Sequence, residues 1–134
     1  MKKYILQFCI IGLLACNNQD KSNNNAFVGT WHLESMSDGY ADKGLLMYSP
    51  DGHMTAILSK NDSMKMGYSG RYQVNNKEAY VTHYRDFYNL IPYPSDSIEP
   101  VFIRDFTLSE DQQTLILRPR ELNTLKLVWK KVRH

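Results

Sequence analysis

The chain has 134 residues, enough for one domain. With 43% hydrophobic and 12% aromatic residues it has the material for a buried core, which excludes a wholly disordered chain. The formal charge is +2, but Lys2 and Lys3 stand in an N-terminal apolar segment, and without them 14 basic residues balance 14 acidic ones, which leaves no electrostatic ground for binding nucleic acid or an anionic membrane.

Met1 to Cys16 reads MKKYILQFCIIGLLAC. Two lysines precede an apolar run, Tyr4 to Ala15, that is too short to span a bilayer as a helix. The run ends in Leu13-Leu14-Ala15-Cys16, and this order resembles the lipobox of a bacterial lipoprotein signal peptide. The resemblance implies removal of residues 1–15, a diacylglyceryl thioether on Cys16 and acylation of the new amino terminus. Several acyl chains anchor firmly where one holds only marginally. It also implies a place in the bacterial cell envelope, at the outer membrane in preference to the inner one. The competing readings are an ordinary secretory signal and a short membrane anchor. Cys9 leaves with the signal and Cys16 is consumed by lipid, so the rest of the chain has no thiol. That excludes disulfides, thiol catalysis and cysteine-ligated zinc in the domain. Asn17 to Asn25, NNQDKSNNN, contains nothing to bury and reads as a flexible tether. Residues 16–26 are therefore expected to be lipidated linker, and 27–134 the folded domain.

The domain reads as strands. Phe27 to Met36 is the first, with Trp31 and Leu33 on one face, and Ser37 to Asp42 is a loop. Leu45 to Tyr48 and His53 to Leu58 flank Ser49-Pro50-Asp51-Gly52, where proline presets one dihedral and glycine tolerates positive φ. Ser59 to Lys65 is polar and is expected to be mobile. Tyr68 to Val74 is the fourth strand and, after the turn signal Asn75-Asn76, Ala79 to Phe87 is the fifth. Tyr88 to Ser97 holds Pro92 and Pro94 and reads as a long rim connection. Pro100 to Leu108, Thr114 to Arg118 and Leu125 to Val132 complete the set.

Eight short strands joined by brief polar turns favour an antiparallel meander. A meander leaves two exposed edges unless it closes on itself. The expected fold is therefore all-β, an eight-stranded antiparallel up-and-down barrel, with the Trp129 strand beside the Trp31 strand. A two-sheet sandwich is the alternative.

Gly29-Thr30-Trp31 resembles the Gly-x-Trp signature of lipocalins. Further pieces resemble the bacterial and fungal lipocalin-like domain family: GTWHL (Gly29 to Leu33), GLLMYSPDGHMTA (Gly44 to Ala56), YSGRYQV (Tyr68 to Val74), VTH (Val81 to His83), RDFTL (Arg104 to Leu108) and LVWKKV (Leu127 to Val132). The resemblance implies a lipocalin-type barrel with a central cavity and implies no particular activity.

An eight-strand barrel is filled by side chains or holds one small ligand. Alternation puts Val81, His83, Arg85 and Phe87 on one face of the fifth strand, and Phe102, Arg104, Phe106 and Leu108 on one face of the sixth. If those faces look inward, His83, Arg85 and Arg104 are polar groups among aromatics, and Tyr68 and Tyr72 line the same space. The candidate ligand-binding residues are thus Tyr68, Tyr72, His83, Arg85, Phe102 and Arg104, suited to a small hydrophobic or amphipathic molecule. The plainer reading has Arg104 covering Trp31 at one barrel end, as an arginine does in lipocalins, and Asp86 or Asp105 satisfying Arg85.

No cofactor is expected. His32 and His53 lack metal-ligand spacing, and no Gly-x-Ser-x-Gly context supports a serine nucleophile. Three functions are compatible with these residues. The first is a monomeric, membrane-anchored binding protein. The second is a barrel enzyme, of isomerase, cyclase or hydrolase type, using His83 and an arginine. The third is a structural or inhibitory lipoprotein gripping another envelope protein through Tyr88 to Pro94.

Overall fold

The computed structural model describes residues 25–89, 91–92 and 101–133. The expected leader, Cys16 and nearly all of the expected tether lie outside the described residues, as does most of the proline-bearing connection after Tyr88. The strands are β1 (Gly29–Met36), β2 (Lys43–Tyr48), β3 (His53–Lys60), β4 (Ser63–Asn75), β5 (Tyr80–Tyr88), β6 (Ile91–Pro92), β7 (Val101–Leu108), β8 (Thr114–Pro119) and β9 (Leu127–Lys131). β6 is a two-residue stub on the end of β5. The other eight follow one another around the sheet as β4-β3-β2-β1-β9-β8-β7-β5, and β5 pairs back onto β4. Every pairing is antiparallel, so the sheet is a closed up-and-down barrel with no free long edge. The seam expected from the sequence is present: Leu33 stands opposite Trp129 and Trp31 opposite Lys131.

The turns are explained by their residues. Ser49 accepts and donates around the β2–β3 turn, with its N–H on the His53 carbonyl at 2.9 Å, its hydroxyl on the Asp51 carboxylate, and Gly52 at φ 91°. That hydrogen bond from Ser49, more than any other influence, lowers the Asp51 pKa to about 2. The β3–β4 connection differs from the expected mobile stretch. Asn61 and Asp62 have φ of 52° and 60°, so a two-residue mirror-image turn carries β3 straight into a β4 that begins at Ser63.

A bulge shapes the β4–β5 pair. Ser69 pairs with Phe87 and Gly70 with Arg85, leaving Asp86 as the extra residue. The two backbones approach so closely that a Cβ on Gly70 would lie 1.8 Å from the Tyr84 carbonyl oxygen. The extra residue also reverses the facing of the residues after it. Simple alternation would put Phe87 inside with Val81, His83 and Arg85, but it is 45% exposed on the outer surface.

The base of the barrel carries the turns at 49–52, 76–79 and 109–113, and it is packed solid. Phe27 plugs it, edge-on to Tyr48 at 5.5 Å and to Phe106 at 4.9 Å. The Trp31 indole N–H donates to the Phe27 carbonyl at 2.9 Å. Lys131, and not Arg104, covers Trp31: its ammonium lies 4.8 Å from the ring and donates to the Ala26 carbonyl at 2.9 Å. Register decides this, because Lys131 is the residue directly across from Trp31 while Arg104 sits on β7 against Val81 and Pro119.

Candidate functional site

The opposite half of the barrel is hollow. A cavity of about 270 Å³ runs from the mid-plane to the rim that carries the β1–β2 and β8–β9 connections. This is at the small end of the range for ligand pockets. Its walls are apolar, with Leu46, Ala56 and Leu58 on one side and Leu117, Leu127 and Trp129 on the other. Tyr40 and Leu122, both exposed, stand at the rim with Asp38 and Glu121.

Polar groups gather at the floor. Alternation from Val81 delivers His83 inward on β5, where it is fully buried. Its Nε2 lies 2.7 Å from the Tyr48 hydroxyl on β2, and its Nδ1 lies 2.8 Å from the Tyr68 hydroxyl on β4. Arg104 on β7 is 8% exposed, rests 4.8 Å from the Phe102 ring, and donates from Nη2 to the Tyr68 hydroxyl at 3.4 Å. Burial first, and the Arg104 cation second, hold the His83 pKa well below its ordinary value, so the imidazole is neutral. Burial raises the Tyr48 pKa well above 10.

Hydrogen-bond accounting then assigns the protons. A neutral imidazole donates from one nitrogen and accepts at the other. Tyr48 is 2% exposed, and among the described residues its hydroxyl has no acceptor except His83. Tyr48 therefore keeps its proton and donates a hydrogen bond to Nε2. Nδ1 then carries hydrogen and donates to Tyr68, whose oxygen also takes the Arg104 N–H. Both lone pairs of the Tyr68 oxygen are occupied, and its own proton is left to point into the cavity that Tyr68 lines.

Of the six residues singled out by sequence, Tyr68, His83, Phe102 and Arg104 meet at this cavity. Tyr72 does not. It packs on Tyr48 at 4.6 Å and donates to the Ser49 carbonyl at 2.8 Å, below the floor. Arg85 does not line the cavity either; its guanidinium stacks 3.7 Å from the Phe102 ring. The carboxylates proposed for Arg85 have other partners, Asp86 with Arg71 at 3.4 Å and Asp105 with Arg120 at 2.8 Å. His53 lies on the surface beside Asp51, and His32 is exposed, pointing outward.

Sequence reasoning misses two site residues. Tyr48 shares a strand face with Leu46, which signals that it points inward, but not that it reaches His83 across the lumen. Trp129 stands out in the sequence only as a seam residue. It is 2% exposed, lines the cavity, and its Nε1 is the one buried side-chain nitrogen or oxygen without a hydrogen-bond partner among the described residues. No protein-family model matches this chain, and no curated protein matches it in sequence.

Proposed function

We propose that this protein is a lipid-anchored envelope protein whose lipocalin-like barrel binds a small hydrophobic or amphipathic molecule in the rim cavity. One observation carries the binding reading: a barrel packed solid at its base keeps about 270 Å³ of apolar-walled space above a small polar floor. Such a cavity with a few convergent polar groups is the usual form of a small-molecule site. The lysine–apolar–Leu-Leu-Ala-Cys order ending at Cys16, with a polar tether after it, supports the anchor.

The barrel-enzyme reading loses ground on the same geometry. His83 is neutral, as a general base must be, but tyrosines occupy both of its nitrogens. A proton given up by Tyr68 would have to be replaced through His83 from Tyr48, and Tyr48 is buried with no further donor among the described residues to refill it.

The test is organic extraction and mass spectrometry of full-length protein purified from its native host. Covalent acyl chains stay on Cys16 while a non-covalent guest is released. One species should be recovered near stoichiometrically and should be absent from an Ala56→Phe variant, because Ala56 lines the cavity and the added ring occupies it. An extract identical for the two proteins refutes the binding reading. Metabolic labelling with palmitate, lost in Cys16→Ser, tests the anchor separately.

A further inference from the structure

We propose that the occupant is a monocarboxylic acid with an apolar body, held head-down with its carboxylate against Arg104 and Tyr68. This rests on the ligand-binding reading above and adds the chemistry and direction of the guest.

Among the described residues, the floor offers hydrogen to a guest and no side-chain acceptor to receive it. Arg104 has five N–H groups and no lone pair. Among the described residues its one hydrogen bond is the long contact with Tyr68, and no carboxylate lies within ion-pair distance of it. The Tyr68 proton points inward once His83 and Arg104 have taken its lone pairs. His83 cannot contribute an acceptor, because Nε2 already accepts the Tyr48 O–H.

A head group that only accepts completes this set. A carboxylate presents two oxygens and about four lone pairs, and its planar fork matches a guanidinium. An alcohol brings a proton for which the floor has no acceptor, and an ammonium brings several. Charge points the same way. A buried guanidinium without a counter-ion is costly, and an anion removes that cost.

The rim fixes direction. Asp38 and Glu121 line the mouth, so a carboxylate left there would face like charge, while at the floor it meets a cation. The apolar body then lies along Leu46, Leu58 and Leu127. The small volume suits a single medium-length chain better than a fused ring system.

The experiment is isothermal titration of full-length protein with sodium decanoate, decan-1-ol and decyltrimethylammonium, each below its micelle concentration. Decanoate should bind about ten- to a hundredfold more tightly than decan-1-ol, the worth of one or two charge-assisted hydrogen bonds. Decyltrimethylammonium should bind weakest. Arg104→Met should abolish the preference for decanoate while keeping decan-1-ol within about twofold. Tyr68→Phe keeps the ring and removes the hydroxyl, so it should weaken decanoate about three- to tenfold while keeping decan-1-ol within about twofold. It also decides the matter if Arg104→Met does not fold. Equal binding of acid and alcohol, or a preference that survives loss of both donors, overturns the head-group assignment and leaves the cavity reading standing. Binding of none of the three overturns both.

Discussion

Mild acid should loosen this barrel through His83. The imidazole is fully buried between Tyr48 and Tyr68, and burial together with the Arg104 cation holds its pKa well below the ordinary 6.5. In the unfolded chain the same ring titrates near its ordinary value. Below that pH the unfolded state therefore binds a proton that the folded state refuses, so stability rises with pH through this window and falls on acidification. For one such proton the loss between pH 7.5 and 5.5 is about 1.4 kcal/mol, which lowers the melting temperature of a domain this size by roughly 5–10 °C. The ring is hydrogen-bonded to two tyrosine hydroxyls, and the Arg104 cation acts on it from β7. The assay is urea unfolding at both pH values for the natural protein and His83→Gln. The variant should be less stable at pH 7.5 by about 1–3 kcal/mol, because a buried tyrosine hydroxyl loses its partner. It should also lose the His83 share of the pH dependence, while surface carboxylates contribute equally to both proteins and cancel. An identical pH difference in the two proteins would show that His83 protonates freely in the fold, and the argument for a neutral, proton-directing imidazole would fail.

Three further outcomes are expected. Gly70→Ala places a methyl 1.8 Å from the Tyr84 carbonyl oxygen and 2.8 Å from the Asp86 nitrogen, both backbone atoms that cannot swing aside. It should cost about 3 kcal/mol or more in denaturant unfolding, and a midpoint equal to that of the natural protein would refute the close approach of β4 and β5. Phe27→Ala removes the plug of the base, 1% exposed and ringed by Tyr48 and Phe106, and should cost about 3–5 kcal/mol while leaving the rim cavity and its ligand preference in place. The Asp51 carboxyl should titrate at about 2 by NMR and return toward 3.8 in Ser49→Ala, since the serine hydroxyl is the main cause of its depression. Its stabilising effect should be present above the ordinary carboxyl range and fade as pH falls toward 2, and an unchanged titration in Ser49→Ala would remove the turn's hydrogen bond from the account.

The barrel is legible because its signals are local. Short apolar alternations, polar turns and a tryptophan near each end of the domain suffice to count strands and to infer closure. The reading fails where no buried face exists or where the count along a strand slips. Ser59 to Lys65 reads as mobile because the ends of β3 and β4 carry mostly solvated side chains, and alternation vanishes there. The surviving clue is Asn61-Asp62, two residues that tolerate positive φ in adjacent positions. Phe87 falls inside only when alternation is carried past Asp86, and a bulge gives no warning in composition. His83 and Arg104 are visible as polar residues on apolar faces. Their partners are not. Tyr48 and His83 lie 35 residues apart and meet only across a closed lumen, a distance that register and strand tilt set and that no spacing in the chain encodes.

The two halves of the interior are built on opposite principles, and this argues for binding more strongly than volume alone. At the base, Phe27, Trp31, Tyr48, Tyr72 and Phe106 fill the lumen with rings. In the upper half the chain places small residues where larger ones would close the space. Gly44 on β2 makes room for Trp129: a Cβ there would lie 3.0 Å from the indole Cη2 and 2.9 Å from Leu33 Cβ. Ala56 on β3, 5% exposed, faces the cavity where a leucine or phenylalanine would fill it. Residual apolar cavity costs roughly 24 cal/mol per Å³, so even if only a third of the 270 Å³ behaves as closed space the hollow costs on the order of 2 kcal/mol. A buried guanidinium without a carboxylate and an indole N–H without an acceptor, both among the described residues, add to the cost in the same half. Stability alone would be served by larger side chains at Ala56 and apolar ones at Arg104. A guest with an anionic head and an apolar body relieves two of these costs at once, by filling the hollow and pairing Arg104.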